Sequence, residues 1–379
     1  MVVTVSNKGY IKRVPLSTYR AQRRGGKGRA GMATREEDFV EQVFVASTHA
    51  PLLFFSSRGL VYKLKVYRLP LALPQARGKA MVNLLPLAAD ETISTVMPLP
   101  EDEAGARDLD VMFATASGDV RRNPLSDFTN VMANGKIAMK LASGDVLVGV
   151  ATCGASDHVL LATRNGKCIR FPVDDVRVFR SRNSTGVSGI RLGDDDRVIS
   201  LTILVGAEFA AAERDSYLRL AAQRRRDGDE MVETAGEVAD EEVSEIVPLS
   251  EERIAQLQAQ EQFILTVAAN GFGKRSSAYD YRVTGRGGKG IELMDLGPTG
   301  KAVVAAFPVL DGDQAVLVTD GGQLIRFPIA DIRIARRMTR GVKLFHLAEG
   351  ERVVSVARLA EETGEGSGDD PLVGAAGDP

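Results

Sequence analysis

The chain has 379 residues, 44% of them hydrophobic and 26% charged, with a net charge of −2. That is enough apolar material for one large domain or two to three ordinary ones, and it excludes a chain disordered throughout. No run of 18 or more apolar residues occurs, and no charged-then-apolar leader precedes Met1-Val2-Val3, so neither a membrane span nor a secretory signal is expected.

The charge is unevenly placed. Residues 206–262 hold 6 basic and 15 acidic side chains, a net of −9, and residues 361–379 hold 6 acidic and no basic ones. The remainder therefore carries +13, a basic body masked by two acidic appendages. Cys153 and Cys168 sit in apolar contexts at no metal-ligand spacing, and His49, His158 and His346 are scattered singly. No zinc site and no cofactor are expected, and a reduced, cytoplasmic setting fits.

Along the chain one unit recurs six times: an apolar run, a Gly-bearing turn, and a strand with a cation four residues after the glycine. The copies span 2–13, 52–63, 111–122, 159–170, 264–275 and 316–326. Each reads as a β-hairpin, because Gly, Asn and Asp accept the positive φ of tight turns. The turn glycines (Gly9, Gly59, Gly118, Gly166, Gly271, Gly322) are 50, 59, 48, 105 and 51 residues apart, so the long gap is one unit plus an insertion. A second glycine follows 17 to 20 residues later (Gly26, Gly78, Gly135, Gly186, Gly288, Gly341), and a β-branched strand closes each unit.

Four strands per copy cannot bury both faces of a single sheet, so six copies should pack radially into an all-β, six-bladed, propeller-like disc. The expected blades are 1–49, 50–100, 108–153, 157–204, 263–310 and 313–359. Residues 205–262 form a charged, partly helical insertion between the fourth and fifth blades, with helices expected near 207–226 and 251–262 and Ser250 as an N-cap. Residues 360–379, rich in Gly and Asp, are expected to be a disordered acidic tail.

The candidate site is a surface for a polyanion. Gln22-Arg23-Arg24-Gly25-Gly26-Lys27-Gly28 can neither pack a core nor hold a helix, but its glycines let backbone N–H groups approach phosphates while its cations release counterions. The repeating cation, at Arg13, Lys63, Arg122, Arg170, Arg275 and Arg326, falls on equivalent faces, which in a radial array predicts a positive ring. A charged outer strand guarded against edge pairing would give the same pattern. Further cations are spread over the units: Lys12, Lys65, Arg68, Arg77, Lys79, Arg121, Lys136, Lys274, Arg286, Lys289, and the clusters Arg177/Arg180/Arg182 and Arg333/Arg336/Arg337/Arg340. Residues 285–290 (Gly-Arg-Gly-Gly-Lys-Gly) echo the heptapeptide without its Gln-Arg-Arg lead. Neither glycine loop matches a Walker A or dinucleotide pattern, and no Ser/His/Asp or Cys/His set stands out.

The heptapeptide at 22–28, following Gly9-Tyr10-Ile11-Lys12-Arg13 and Tyr19-Arg20-Ala21, resembles the signature box of the C-terminal domain of the bacterial DNA gyrase A protein. The six-unit organisation extends the resemblance over almost the whole chain. It implies a six-bladed β-pinwheel that wraps double-stranded DNA on its basic rim with little sequence preference, in a nucleoid-associated bacterial enzyme. Its partners would be the N-terminal part of gyrase A and the separate gyrase B protein, which carry the catalytic tyrosine and the ATP and Mg chemistry. The domain itself would be non-catalytic and, in isolation, a monomer. The insertion departs from the plainest family pattern. The related topoisomerase IV domain, which usually has a degenerate box, is the nearest alternative. A protein-interaction propeller lacks support because the chain has no Trp, and a propeller enzyme lacks an evident catalytic set.

Overall fold

The computed structural model describes residues 1–15, 18, 40–73, 75–99, 109–181, 184–228, 247–298, 302–321 and 323–360. Within them lie six antiparallel sheets, five of four strands and one of three. The first orders Val40–Val45, Val2–Ser6, Tyr10–Val14 and Lys79–Ala80, with Thr4 opposite Lys12 and Tyr10 opposite Ala80. The hairpin turns form where glycine permits them: Gly9, Gly59, Gly118, Gly166 and Gly271 all have φ between +74° and +91°.

The fourth strand of each complete sheet comes from the next unit. Lys79–Ala80 completes the first sheet, Lys136–Ile137 the second, Val187–Ser188 the third, Ile291–Glu292 the fourth and Val342–Lys343 the fifth. Sequence units and sheets are therefore out of phase, and each unit is strapped to its predecessor. Just before the first of these outer strands, Gly78 has φ +84°, and a Cβ there would lie 2.4 Å from the Ile11 carbonyl oxygen. Only glycine fits so close a backbone approach. In the fifth unit Gly290, not the expected Gly288, holds this place, with φ +72° against the Cys168 carbonyl.

Apolar cores lie between consecutive sheets. Between the second and third, Phe55, Phe113 and Phe128 pack with ring centroids 5.6 to 5.8 Å apart. The inner strands line the axis, and the last of them, Val353–Leu359, adjoins Val40–Val45 of the first unit. An axial cavity of about 470 Å³ is lined by residues such as Ala151, Ser200, Thr202, Ala305 and Val356, and a second of about 600 Å³ on the same strands is lined in part by Arg164, Arg197, Asp320, Glu351 and Arg352.

The insertion contains helices α1 (Ala211–Gly228) and α2 (Glu251–Gln260). Ser250 caps α2 as expected, its hydroxyl accepting from Arg253 N at 3.2 Å. Tyr217 and Leu218 of α1 and Ile254 and Leu257 of α2 pack on Tyr279 of the fifth unit, whose hydroxyl donates to Leu257 O at 2.9 Å. The hairpin of helices is thus anchored beside the 3₁₀ turn Ala278–Asp280. No described helix is long and apolar enough to cross a membrane.

Candidate nucleic-acid interface

The repeating cation does not form the expected solvent-facing ring. Arg122, Arg170 and Arg275 are buried, and Arg13 and Lys63 are half-buried. Opposite each, on the first strand of its hairpin, stands a buried apolar residue: Val3, Leu53, Met112, Leu160 and Leu265. Cross-strand partners share a face, so these cations point between sheets.

There each reaches the 3₁₀ turn of the following unit. Arg13 donates to Leu69 O (2.9 Å) and Tyr67 O (3.2 Å), and Lys63 to Thr129 O. Arg122 donates to Val173 O (3.4 Å) and Val176 O (3.5 Å), Arg170 to Ala278 O (2.7 Å), and Arg275 to Ile332 O (2.6 Å). The repeat is an inter-blade clasp: it satisfies the orphan carbonyls of a short helical turn with a charged donor. Arg326 of the last unit is exposed and bonds Gln314 of its own hairpin.

How the buried charge is tolerated differs by position. Burial opposes the Arg122 cation, but hydrogen bonds from Arg122 to Asp174 and Asp110 outweigh it and raise the pKa. Among the described residues Arg170 pairs with no carboxylate; it bonds His158 Nδ1 at 2.9 Å, and burial lowers its pKa to about 10. The same environment, burial first and then Arg170, lowers the pKa of His158.

One residue earlier on the strand, on the opposite face, a second set is buried in alternate units. Lys12 donates to Ala76 O at 2.9 Å, Arg121 to Ser184 O, and Lys274 to Arg336 O (3.0 Å), Thr339 O (2.8 Å) and Arg337 O. These acceptors lie in the loops that lead to the outer strands. Burial lowers Lys12 to about 8 and Lys274 to about 7. By drawing loop carbonyls inward, the buried cations remove acceptor oxygens from the perimeter. Arg337, also expected at the rim, is buried as well, donating to Asp280 O at 3.2 Å and to Glu292 O. Arg121, Arg122, Arg170, Arg275 and Arg337 are therefore corrected from rim contacts to internal ties.

The perimeter is left to other cations. Lys65, Arg68, Lys79, Arg180, Arg286, Lys289 and Arg336 are exposed, and Arg77, Lys136 and Arg340 are half-buried. Arg77 covers the Tyr10 ring at 3.6 Å, Arg286 bonds Asp175 O (2.9 Å) and Ser188 O (3.0 Å), and Lys136 lies 3.3 Å from Asn130 O. Arg336 pairs with Asp280 at 3.0 Å and Arg340 with Asp295 at 3.3 Å. The heptapeptide 22–28 and Arg182 lie outside the described residues. Sequence reading passed over exposed Arg282. Its signal was an Asp-x-Arg pattern in three units, at Asp175/Arg177, Asp280/Arg282 and Asp331/Arg333.

Among the described residues no group of three or more His, Cys, Asp or Glu could hold a metal ion, and both cysteines are buried, their thiols pushed up to about 12 by burial.

A strand-exchanged six-bladed β-propeller with cations along its perimeter is the class that fold and surface define. The family model described as "DNA gyrase C-terminal domain, beta-propeller" matches six segments, 1–47, 50–100, 109–153, 157–204, 262–309 and 313–360. The chain belongs to this DNA gyrase C-terminal domain family. It is 50% identical over 369 residues to the DNA gyrase A protein of Rickettsia bellii, covering 97% of this chain and 40% of that protein. It is 51% identical over 379 residues to that of Granulibacter bethesdensis (98% and 40%), and 38% identical over 365 residues to that of Escherichia coli (96% and 35%). The chain thus spans about two fifths of the length of these relatives, and their identity as gyrase proteins favours gyrase over topoisomerase IV. The fold resembles the C-terminal domain of DNA topoisomerase IV (TM-score 0.68, 19% identity, covering 94% of this chain and 92% of that one). It also resembles a DNA gyrase A C-terminal domain (TM-score 0.62, 21% identity, 95% and 99%).

Proposed function

We propose that this chain wraps double-stranded DNA around its perimeter, without sequence preference, and so directs a parent topoisomerase toward negative supercoiling. The observation that carries this reading is the spread of solvent-facing cations along the perimeter. They occur on the outer segments of the second, fourth, fifth and sixth units, among them Arg68, Lys79, Arg180, Arg286, Lys289 and Arg336. A rim of this kind spreads its binding energy along an arc, which wrapping requires. Bending 20–30 base pairs through 40–90° costs about 1–6 kcal/mol, so a full wrap costs on the order of 10, more than any single patch of three cations can offset. Each phosphate neutralised elsewhere adds a counterion-release contribution.

In this reading the heptapeptide, with Arg23, Arg24 and Lys27, clamps one end of the arc. The N-terminal part of gyrase A and the gyrase B protein would supply strand cleavage and ATP hydrolysis. A salt titration with short and long duplexes tests the binding. Affinity should fall steeply with salt and rise with duplex length, and each of Arg68→Ala, Lys79→Ala and Lys289→Ala should reduce the log–log slope by about 0.9. A shallow slope independent of length would instead indicate a protein-interaction scaffold.

A further inference from the structure

The perimeter is not evenly charged. In each described unit it is formed by the segment that runs from the 3₁₀ turn to the outer strand. On the second unit this segment exposes Arg68 and Lys79, and on the fourth Arg177 and Arg180. On the fifth it exposes Arg282, Arg286 and Lys289, and on the sixth Arg333 and Lys343. On the third, residues 125–137 contain two charged side chains, Asp127 and Lys136. What they expose is neutral: Ser126, Asn130, Met132 (77%), Ala133, Asn134 and Ile137.

Lys136 does not make up the difference. It shares its register with Lys79, pairing with Val61 as Lys79 pairs with Ile11. Yet Lys79 is exposed, whereas Lys136 is half-buried and its ammonium turns back to Asp127 O (3.4 Å) and Asn130 O (3.3 Å) of its own loop. Packing holds the loop in this form: Leu125, Phe128 and Val131 are buried with Phe55 and Phe113 between the second and third sheets. The clasp cation Lys63 bonds Thr129 O. The next exposed cation along the chain, Lys140, lies beyond the outer strand. The neutral face is therefore a built feature of the disc.

We propose that the duplex is not held at the third unit: it follows the perimeter from the fourth unit round through the sixth to the second, and its two arms leave the disc on either side of Met132 and Asn134. The proposal rests on the DNA-wrapping reading and adds where the wrapped arc begins and ends. Each phosphate that a cation neutralises contributes counterion release, and each stretch of curvature has an elastic cost. Following one unit of a six-unit circle turns the duplex by about 60°, a bend that must be offset by contacts along it. Exposed cations supply those contacts on the fourth, fifth, sixth and second units. Along residues 125–137 no exposed cation meets the phosphates, so stiffness straightens the duplex there and carries it off the surface.

The test maps the duplex with cysteines added one at a time to the whole chain: Asn134→Cys on the third unit, Thr185→Cys on the fourth and Ala76→Cys on the second. All three side chains are exposed, and Asn134 and Thr185 both precede the glycine before an outer strand. The native Cys153 and Cys168 are buried and should not react. Each added thiol is coupled to an iron chelate that generates hydroxyl radicals, and scission of a long duplex is measured at saturating protein. Thr185→Cys and Ala76→Cys should cut, and Asn134→Cys should cut about fivefold less or lower still, because no phosphate contact holds DNA beside it. A second variant, Met132→Lys with Asn134→Arg, supplies the missing charge on exposed side chains. It should steepen the log–log salt slope by about 1.8 and increase the duplex length at which affinity stops rising. Equal scission from Asn134→Cys and Thr185→Cys would overturn the gap and leave the wrapping reading intact. An unchanged length in the charge-gain variant, whatever its slope, would do the same. A chain that binds DNA yet cuts from none of the three sites would overturn the wrapping reading as well.

Discussion

Lys274→Met should change how stability depends on pH. The Lys274 ammonium is buried with three carbonyls and, among the described residues, no carboxylate bonded to it, and burial lowers its pKa from 10.5 to about 7. The unfolded chain therefore holds this proton until about pH 10, while the folded chain releases it near neutrality. Between those limits the unfolded state binds more protons, so stability rises with pH. Below about pH 7 both states are protonated and the slope vanishes. For one group this amounts to a gain on the order of 1–2 kcal/mol between about pH 7 and pH 8.5. The window stops there because Cys153 and Cys168, raised from 9.0 to about 12 by burial, act in the opposite direction above pH 9. Urea unfolding followed by circular dichroism is the assay, since the chain has no Trp to report by fluorescence. Wild type should gain stability across the window and Lys274→Met should lose most of that gain. A smaller rise should remain from Lys12, lowered to about 8. Identical pH slopes in wild type and variant would refute the claim that Lys274 is held in a site that disfavours its charge.

Three other outcomes follow from the same geometry. Arg122→Ala strands Asp110 and the Val173 and Val176 carbonyls and should cost about 3–5 kcal/mol, whereas Asp174→Ala removes only the exposed partner and should cost less than about 1 kcal/mol; chemical denaturation of both decides it. Gly78→Ala, which meets both a positive φ and the Ile11 carbonyl, should destabilise the chain by more than about 2 kcal/mol and increase hydrogen exchange at the Tyr10–Val14 strand. Changing Arg23, Arg24 and Lys27 together to Ala should leave measurable DNA affinity and eliminate the linking-number shift; proportional loss of both would make the heptapeptide an ordinary contact.

The hairpins were legible because a positive-φ glycine and an alternating strand are local signals, as Gly118 and the strands on either side of it show. The outer strands were not. Lys79–Ala80 is two residues long and its partner lies in the preceding unit, so no periodicity marks it. The equivalence of Arg13, Arg122, Arg170 and Arg275 was readable from their spacing, but not the face they occupy. The missing clue was the cross-strand residue, Val3 or Met112, which is apolar and buried. Composition alone could not separate cations that tie blades together, such as Lys274, from cations that face solvent, such as Lys289.

Closing nicked plasmid with ligase in the presence of the chain alone, then measuring linking number after its removal, puts the wrapping claim to the most direct trial. A curved duplex held with one handedness should leave a protein-dependent shift that grows with the ratio of protein to DNA and disappears at high salt. Plasmid that is saturated with protein yet closes at the linking number of free DNA would contradict it.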